Sequence, residues 1–134
     1  MTEIIHTYDE LETLVAKTYT NPDVTTLRRA YDVASKAHEG EKRLTGHDFI
    51  THPVAVAYKL AEMGLHVNVV IAGLLHDVAE DTSVGIDALK EQFGEDIAGL
   101  VDSVTKLKRN IKYRGTERYA ENMRKMFLAM ASDV

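Results

Sequence analysis

A histidine and three carboxylates crowd the end of a very apolar run. Val67-Asn68-Val69-Val70-Ile71-Ala72-Gly73-Leu74-Leu75 leads into His76-Asp77-Val78-Ala79-Glu80-Asp81. Such a run reads as a helix buried on most sides, predicted here over residues 67–81. Burying the polar groups beside it without partners costs on the order of several kcal/mol each. A bound cation removes most of that penalty. His76 and Glu80 are four residues apart, and so are Asp77 and Asp81, so one sector of a helix carries all four. The pattern predicts a metal-centred active site.

His52 precedes Pro53 at a predicted helix start, where it reads as the N-cap. A histidine there points away from its own helix and can reach a neighbouring one. Alone it is an ordinary capping or surface residue. Beside His76-Asp77 it becomes a candidate third ligand. Two imidazoles and a carboxylate without sulfur suit Mn²⁺, Fe²⁺ or Zn²⁺ better than Mg²⁺. The plain alternative is a buried polar network without metal. That network needs several donors, which the neighbouring apolar run cannot supply.

The elements that must hold these residues are read as helices. Period-2 alternation is nearly absent, so the predicted fold class is all-α, with about six to seven helices. The first spans 8–19, with Leu11, Leu14, Val15 and Thr18 facing inward. Asn21-Pro22 reads as cap and first position of a helix over 23–38. The helix opened by Pro53 runs to 63 and stops at Gly64. After the 67–81 helix, Thr82-Ser83-Val84 breaks the chain. A short helix over 86–93 ends at Gly94, and another spans 95–108, opened by Glu95 and Asp96. A basic connector, 108–115, precedes a last helix with Met123, Met126, Phe127 and Met130 on one face. Residues 39–51 form the one long irregular stretch, a common place for function.

Composition narrows the classes. The 134 residues fit a single domain over 1–134 with a real core, at 45% hydrophobic and 28% charged residues. There is no cysteine, which removes disulfides, thiolate metal sites and cysteine nucleophiles. No apolar run reaches membrane-span length and the start is not a signal peptide, so a soluble cytoplasmic protein is expected. The net charge of −5 argues against nucleic acid as a partner. It is unevenly placed: residues 1–102 hold 8 Lys/Arg against 18 Asp/Glu, and residues 103–134 hold 8 against 3. A basic segment beside a carboxylate site suits a small phosphorylated ligand, although any one of those charges reads equally as a solvated helix face. His6, His47 and His66 read as surface residues. His38 reads as a partner for a helix terminus or carbonyl.

His52 followed by His76-Asp77 resembles the signature of the HD-domain metal-dependent phosphohydrolases. The surrounding sequence resembles one branch, the hydrolase domain of the RelA/SpoT stringent-response proteins. The matching stretches are Ala37-His38-Glu39-Gly40, Arg43-Leu44-Thr45-Gly46, Ile50-Thr51-His52-Pro53, Ala72 through Thr82, Val101 through Leu107, and Ala120 through Met126. The resemblance covers roughly residues 24–134. It implies one Mn²⁺ and hydrolysis of the 3′-pyrophosphate of (p)ppGpp to GDP or GTP and pyrophosphate. It assigns the metal to His52, His76 and Asp77, and the place beside the attacking water to Glu80 and Asp81. It sets Arg43 against the guanine and Thr45 near the nucleotide.

Two departures stand out. Leu44 occupies a position where many active members carry a second basic residue. The family pattern also continues past Val134 with a helix bearing a further metal-binding Asp. On that pattern the chain is expected to be C-terminally incomplete, a fragment of a bifunctional GTP pyrophosphokinase/hydrolase or a short form. Weak Mn²⁺ binding, low hydrolase activity and self-association through the last helix are expected of it. The alternatives are an HD phosphohydrolase of another nucleotide, and a non-catalytic module that binds nucleotide or a partner.

Overall fold

The computed structural model describes residues 5–42, 46–78 and 85–102. Its helices are α1 (Tyr8–Thr18), α2 (Val24–Ala37), α3 (Thr51–Glu62), α4 (Val67–Leu75) and α5 (Ile86–Phe93). Residues 95–102 are also helical. Among the described residues there is no strand, only an isolated antiparallel bridge between Lys42 and Asp48. The all-α reading is borne out. The predicted connector 108–115 and the methionine-bearing last helix lie outside the described residues.

The core is built on the α3–α4 pair, with α1 against α3 and α2 against α4. In α4 every residue from Val69 to Leu75 is buried, as an apolar run on all faces requires. Gly73 permits the close approach. A Cβ there would stand 2.8 Å from Leu60 Cδ1 and 3.5 Å from the Ala57 backbone. Small residues on both helices therefore bring the end of α4 up to the start of α3.

Local signals set the boundaries. Thr7 and Glu10 form a reciprocal capping box at α1. Leu11 and Val15 of that helix are fully buried. Thr18, expected inside, is exposed, because the helix ends there and the chain turns away. The α2 cap is Asp23, which accepts from Thr26 N at 3.0 Å, and not Asn21. Asn21 instead takes φ +48°, a turn conformation that asparagine tolerates, so Pro22 falls before the helix. At the end of α3, Leu65 N bonds Leu60 O and Gly64 N bonds Ala61 O, with Gly64 at φ +72°. That Schellman pattern delivers the chain from α3 into α4 across four residues.

Two polar clusters lock the outer helices. Glu12 accepts from Tyr8 Oη at 2.8 Å and from Arg28 at 2.9 Å, joining α1 to α2. Burial and this carboxylate push the Tyr8 phenol well above its usual range. Arg29 donates to Gln92 O at 2.8 Å and lies over the Phe93 ring, joining α2 to α5.

Candidate metal centre

Local structure around the predicted ligands differs from the sequence reading in two ways. Helix α3 begins at Thr51, with Ile50 at the cap position and no side-chain cap. His52 is therefore in the first turn rather than capping it. Pro53 follows without loss, since amides in the first turn have no helical partner. Helix α4 ends at Leu75, and His76 and Asp77 form a turn. The predicted continuous helix over 67–81 is thus interrupted at His76-Asp77; Val78 is helical again, and residues 79–81 lie outside the described residues. The turn frees the histidine and aspartate to face α3.

His52 Nε2 lies 3.3 Å from Asp77 Oδ2, and His76 Nε2 lies 3.1 Å from the same oxygen. The two imidazole rings are 5.3 Å apart at 62°. The three candidate ligand atoms all fall within 4.8 Å of one another. His76 and Asp77 are buried, while the His52 side chain is 34% exposed. One edge of the cluster is therefore open to solvent.

Hydrogen bonding decides what the cluster can hold. His76 Nδ1 lies 2.6 Å from Gly73 O. A carbonyl oxygen only accepts, so Nδ1 carries a proton, and in the neutral imidazole Nε2 presents a lone pair. That Nε2 is buried and has no hydrogen-bond partner. It faces a carboxylate oxygen, another acceptor. With that imidazole neutral, two electron-rich atoms this close repel unless a cation or a proton lies between them. Ligand atoms about 2.1 Å from an ion stand about 3.0–3.4 Å apart across an angle of about 90–109°. The two nitrogen–oxygen separations, 3.3 and 3.1 Å, fit. The backbone bond to Nδ1 is also the usual way a protein fixes the tautomer of a metal-binding histidine. The residues present fit a divalent metal.

His52, His76 and Asp77 are thus brought together as predicted. Arg43, Thr45, Glu80 and Asp81 lie outside the described residues. The irregular stretch that carries Arg43 and Thr45 is pinned on either side of them. Phe49 N bonds Glu41 O at 2.9 Å, and Lys42 pairs with Asp48. That lysine holds the Asp48 carboxyl below its usual range.

Two histidines, His38 and His6, depart from the sequence reading. His38, expected to serve the helix end, is buried and pairs with the Glu41 carboxylate at 2.7 Å. Its spacing from Glu41 was the available signal. His6 is not a plain surface residue. It stacks on Tyr58 at 3.6 Å, a contact between distant segments that no local pattern announces. His66, though exposed, caps α4 by accepting from Asn68 N.

An all-α domain with a His/His/Asp set between two helices is the architecture of a metal-binding helical domain. A family model described as HD domain matches residues 30–134, and the chain belongs to that family. It is 45% identical over 97% of its length to the guanosine-3′,5′-bis(diphosphate) 3′-pyrophosphohydrolase of Vibrio cholerae. It is 43% identical over the same share to the bifunctional (p)ppGpp synthase/hydrolase SpoT of Escherichia coli. It is 48% identical over 80% of its length to the corresponding pyrophosphohydrolase of Aquifex aeolicus. The chain spans only 15–18% of the length of these relatives.

Proposed function

We propose that the chain is a metal-dependent phosphohydrolase domain that removes the 3′-pyrophosphate of (p)ppGpp, with Mn²⁺ as its metal. The observation that carries this reading is the convergence of His52 Nε2, His76 Nε2 and Asp77 Oδ2 around an unpartnered buried nitrogen. Its likeness to the Vibrio cholerae and Escherichia coli enzymes supports the substrate. A divalent ion bound there supplies charge neutralisation at the phosphates and a water of lowered pKa.

The chain's own residues then have distinct tasks. His52, His76 and Asp77 hold the ion. Gly73 O keeps the His76 proton on Nδ1 and so keeps Nε2 available. Glu80 and Asp81 follow Asp77 by three and four residues, and in this reading they orient the attacking water and take its proton. Arg43 stacks its guanidinium on the guanine, and Thr45 meets the sugar-phosphate. A second reading, hydrolysis of another nucleotide, rests on Leu44, whose side chain adds no positive charge beside Arg43.

The test is pyrophosphate release from ppGpp with Mn²⁺, beside GTP, GDP and dGTP as competing substrates. Release from ppGpp that disappears in His76→Ala supports the leading reading. Preferred turnover of another nucleotide favours the second. Nucleotide binding without release from any of them contradicts both.

A further inference from the structure

His76 and His52 are held in different ways. The His76 imidazole is buried and fixed by Gly73 O. Among the described residues no hydrogen bond fixes Nδ1 of His52, whose side chain is 34% exposed. The torsion that turns a histidine ring is soft, so such a ring samples orientations unless its faces and edges are packed. A ligand that wanders contributes less to a metal site.

The His52 ring is instead packed by other rings. Phe49 meets it edge-on, with centroids 5.8 Å apart at 68°. His76 flanks it at 5.3 Å. Phe49 also accepts the His52 amide through its carbonyl at 2.9 Å, so backbone and ring of one residue both address the ligand. Phe49 is itself only half-buried. It is backed by the fully covered His38 ring at 4.5 Å and 34°. Glu41 closes the bracket, because its carboxylate takes His38 Nδ1 and its carbonyl takes Phe49 N. The order Glu41–His38–Phe49–His52–His76 is an unbroken series of contacts ending at the metal set.

We infer that Phe49 is a positioning residue for His52 and that His38, tied to Glu41, holds Phe49 in place. This inference rests on the metal-site reading above. A ring that presses on one edge of the imidazole restricts its rotation and leaves Nε2 aimed at Asp77. The effect requires an aromatic plane at position 49. An aliphatic side chain of similar bulk fills space without presenting the same flat edge.

The probe is Co²⁺ alone, titrated into the 134-residue chain and followed by its visible ligand-field bands, which report coordination geometry. Folding is checked by circular dichroism and thermal unfolding. His76→Ala is the control for the site itself. Wild type binding Co²⁺ and His76→Ala losing it establishes that the metal is at these residues; otherwise the underlying reading fails first, and visibly. With that control in place, Phe49→Leu is expected to weaken Co²⁺ binding about 10- to 100-fold, the scale for losing a group that orients a metal ligand. Its bands are expected to shift, while Phe49→Tyr keeps wild-type affinity and bands. His38→Leu is expected to show a smaller loss of the same kind. If folded Phe49→Leu binds Co²⁺ with wild-type affinity and spectrum, the inference is overturned. A loss in Phe49→Leu that Phe49→Tyr does not rescue also overturns it, because the ring is then not what matters. Should Phe49→Leu fail to fold, the Phe49→Tyr and His38→Leu spectra decide. Unchanged bands in His38→Leu overturn the inference, and shifted bands there with wild-type bands in Phe49→Tyr support it.

Discussion

At the scale of single residues the account depends on where protons sit. His76 Nδ1 donates to Gly73 O, and in the neutral ring Nε2 is then a buried acceptor 3.1 Å from Asp77 Oδ2. Among the described residues nothing satisfies that nitrogen as a neutral imidazole, and a bound metal would. The proposed base is separable from the ligands. Glu80→Gln is expected to keep metal and nucleotide but lower pyrophosphate release by roughly 10²-fold or more, the scale of losing a positioned acid/base. Unchanged turnover would assign Glu80 a structural part only. Arg43→Ala is expected to weaken guanine-nucleotide binding by about 1–2 kcal/mol, as for a partly desolvated cation over a ring. Equal affinities in a calorimetric titration would move the base pocket elsewhere.

At the scale of elements, function depends on how closely α4 approaches α3. Gly73→Val places side-chain carbon against Leu60 and the Ala57 backbone, which already lie 2.8 and 3.5 Å from a single added Cβ. The expected cost is about 2–3 kcal/mol of stability from overpacking, read by denaturant unfolding. Metal affinity should fall with it, since His52 lies on α3 and His76 and Asp77 directly follow α4. A variant with native stability and metal affinity would mean that α3 and α4 separate without consequence. Helix α2 carries a simpler test. Asp23 caps it, and the Thr26 hydroxyl and amide hold this carboxyl below its usual range. A lowered folded-state pKa gives stability that is present above the unfolded value and lost as pH falls through the folded one. Asp23→Ala is therefore expected to cost about 1 kcal/mol near neutral pH. The gap between mutant and wild type should close below about pH 4. A gap that persists in acid would show that the charge of Asp23 does not contribute.

These elements also mark what a sequence can and cannot reveal. Helix existence was legible because apolar spacing and caps act locally, as in the Thr7–Glu10 box and the Gly64 stop. The convergence of His52 with His76-Asp77 was legible because the histidine and aspartate follow an all-apolar run that leaves them few other uses. The break after Leu75 was not, because a turn of near-helical backbone leaves the apolar pattern unchanged. Nor was the α2 start, where Asn21-Pro22 and Asp23 compete and only the bond to Thr26 decides. The ring series from His38 to His52 was hidden for another reason. Its contacts join a helix end, a loop and a second helix, and tertiary packing alone brings them together.

At the scale of the whole molecule, the His52, His76 and Asp77 cluster ties the first turn of α3 to the turn that follows α4. A ligand that binds only the folded chain stabilises it by mass action, by about 2.7 kcal/mol at a hundred times its dissociation constant. Mn²⁺ is accordingly expected to raise the unfolding temperature of wild type and not of Asp77→Ala. No helix among the described residues is long and apolar enough to cross a bilayer. The central claim is that His52, His76 and Asp77 form one divalent-metal site. Its most direct test is a Mn²⁺ titration that follows the electron paramagnetic resonance signal of the free ion, with wild type, His76→Ala and Asp77→Ala compared side by side. The account predicts that wild type removes one Mn²⁺ per chain from solution and that each variant removes none at the same concentrations. Equal uptake by wild type and both variants, or no uptake by wild type, would contradict it.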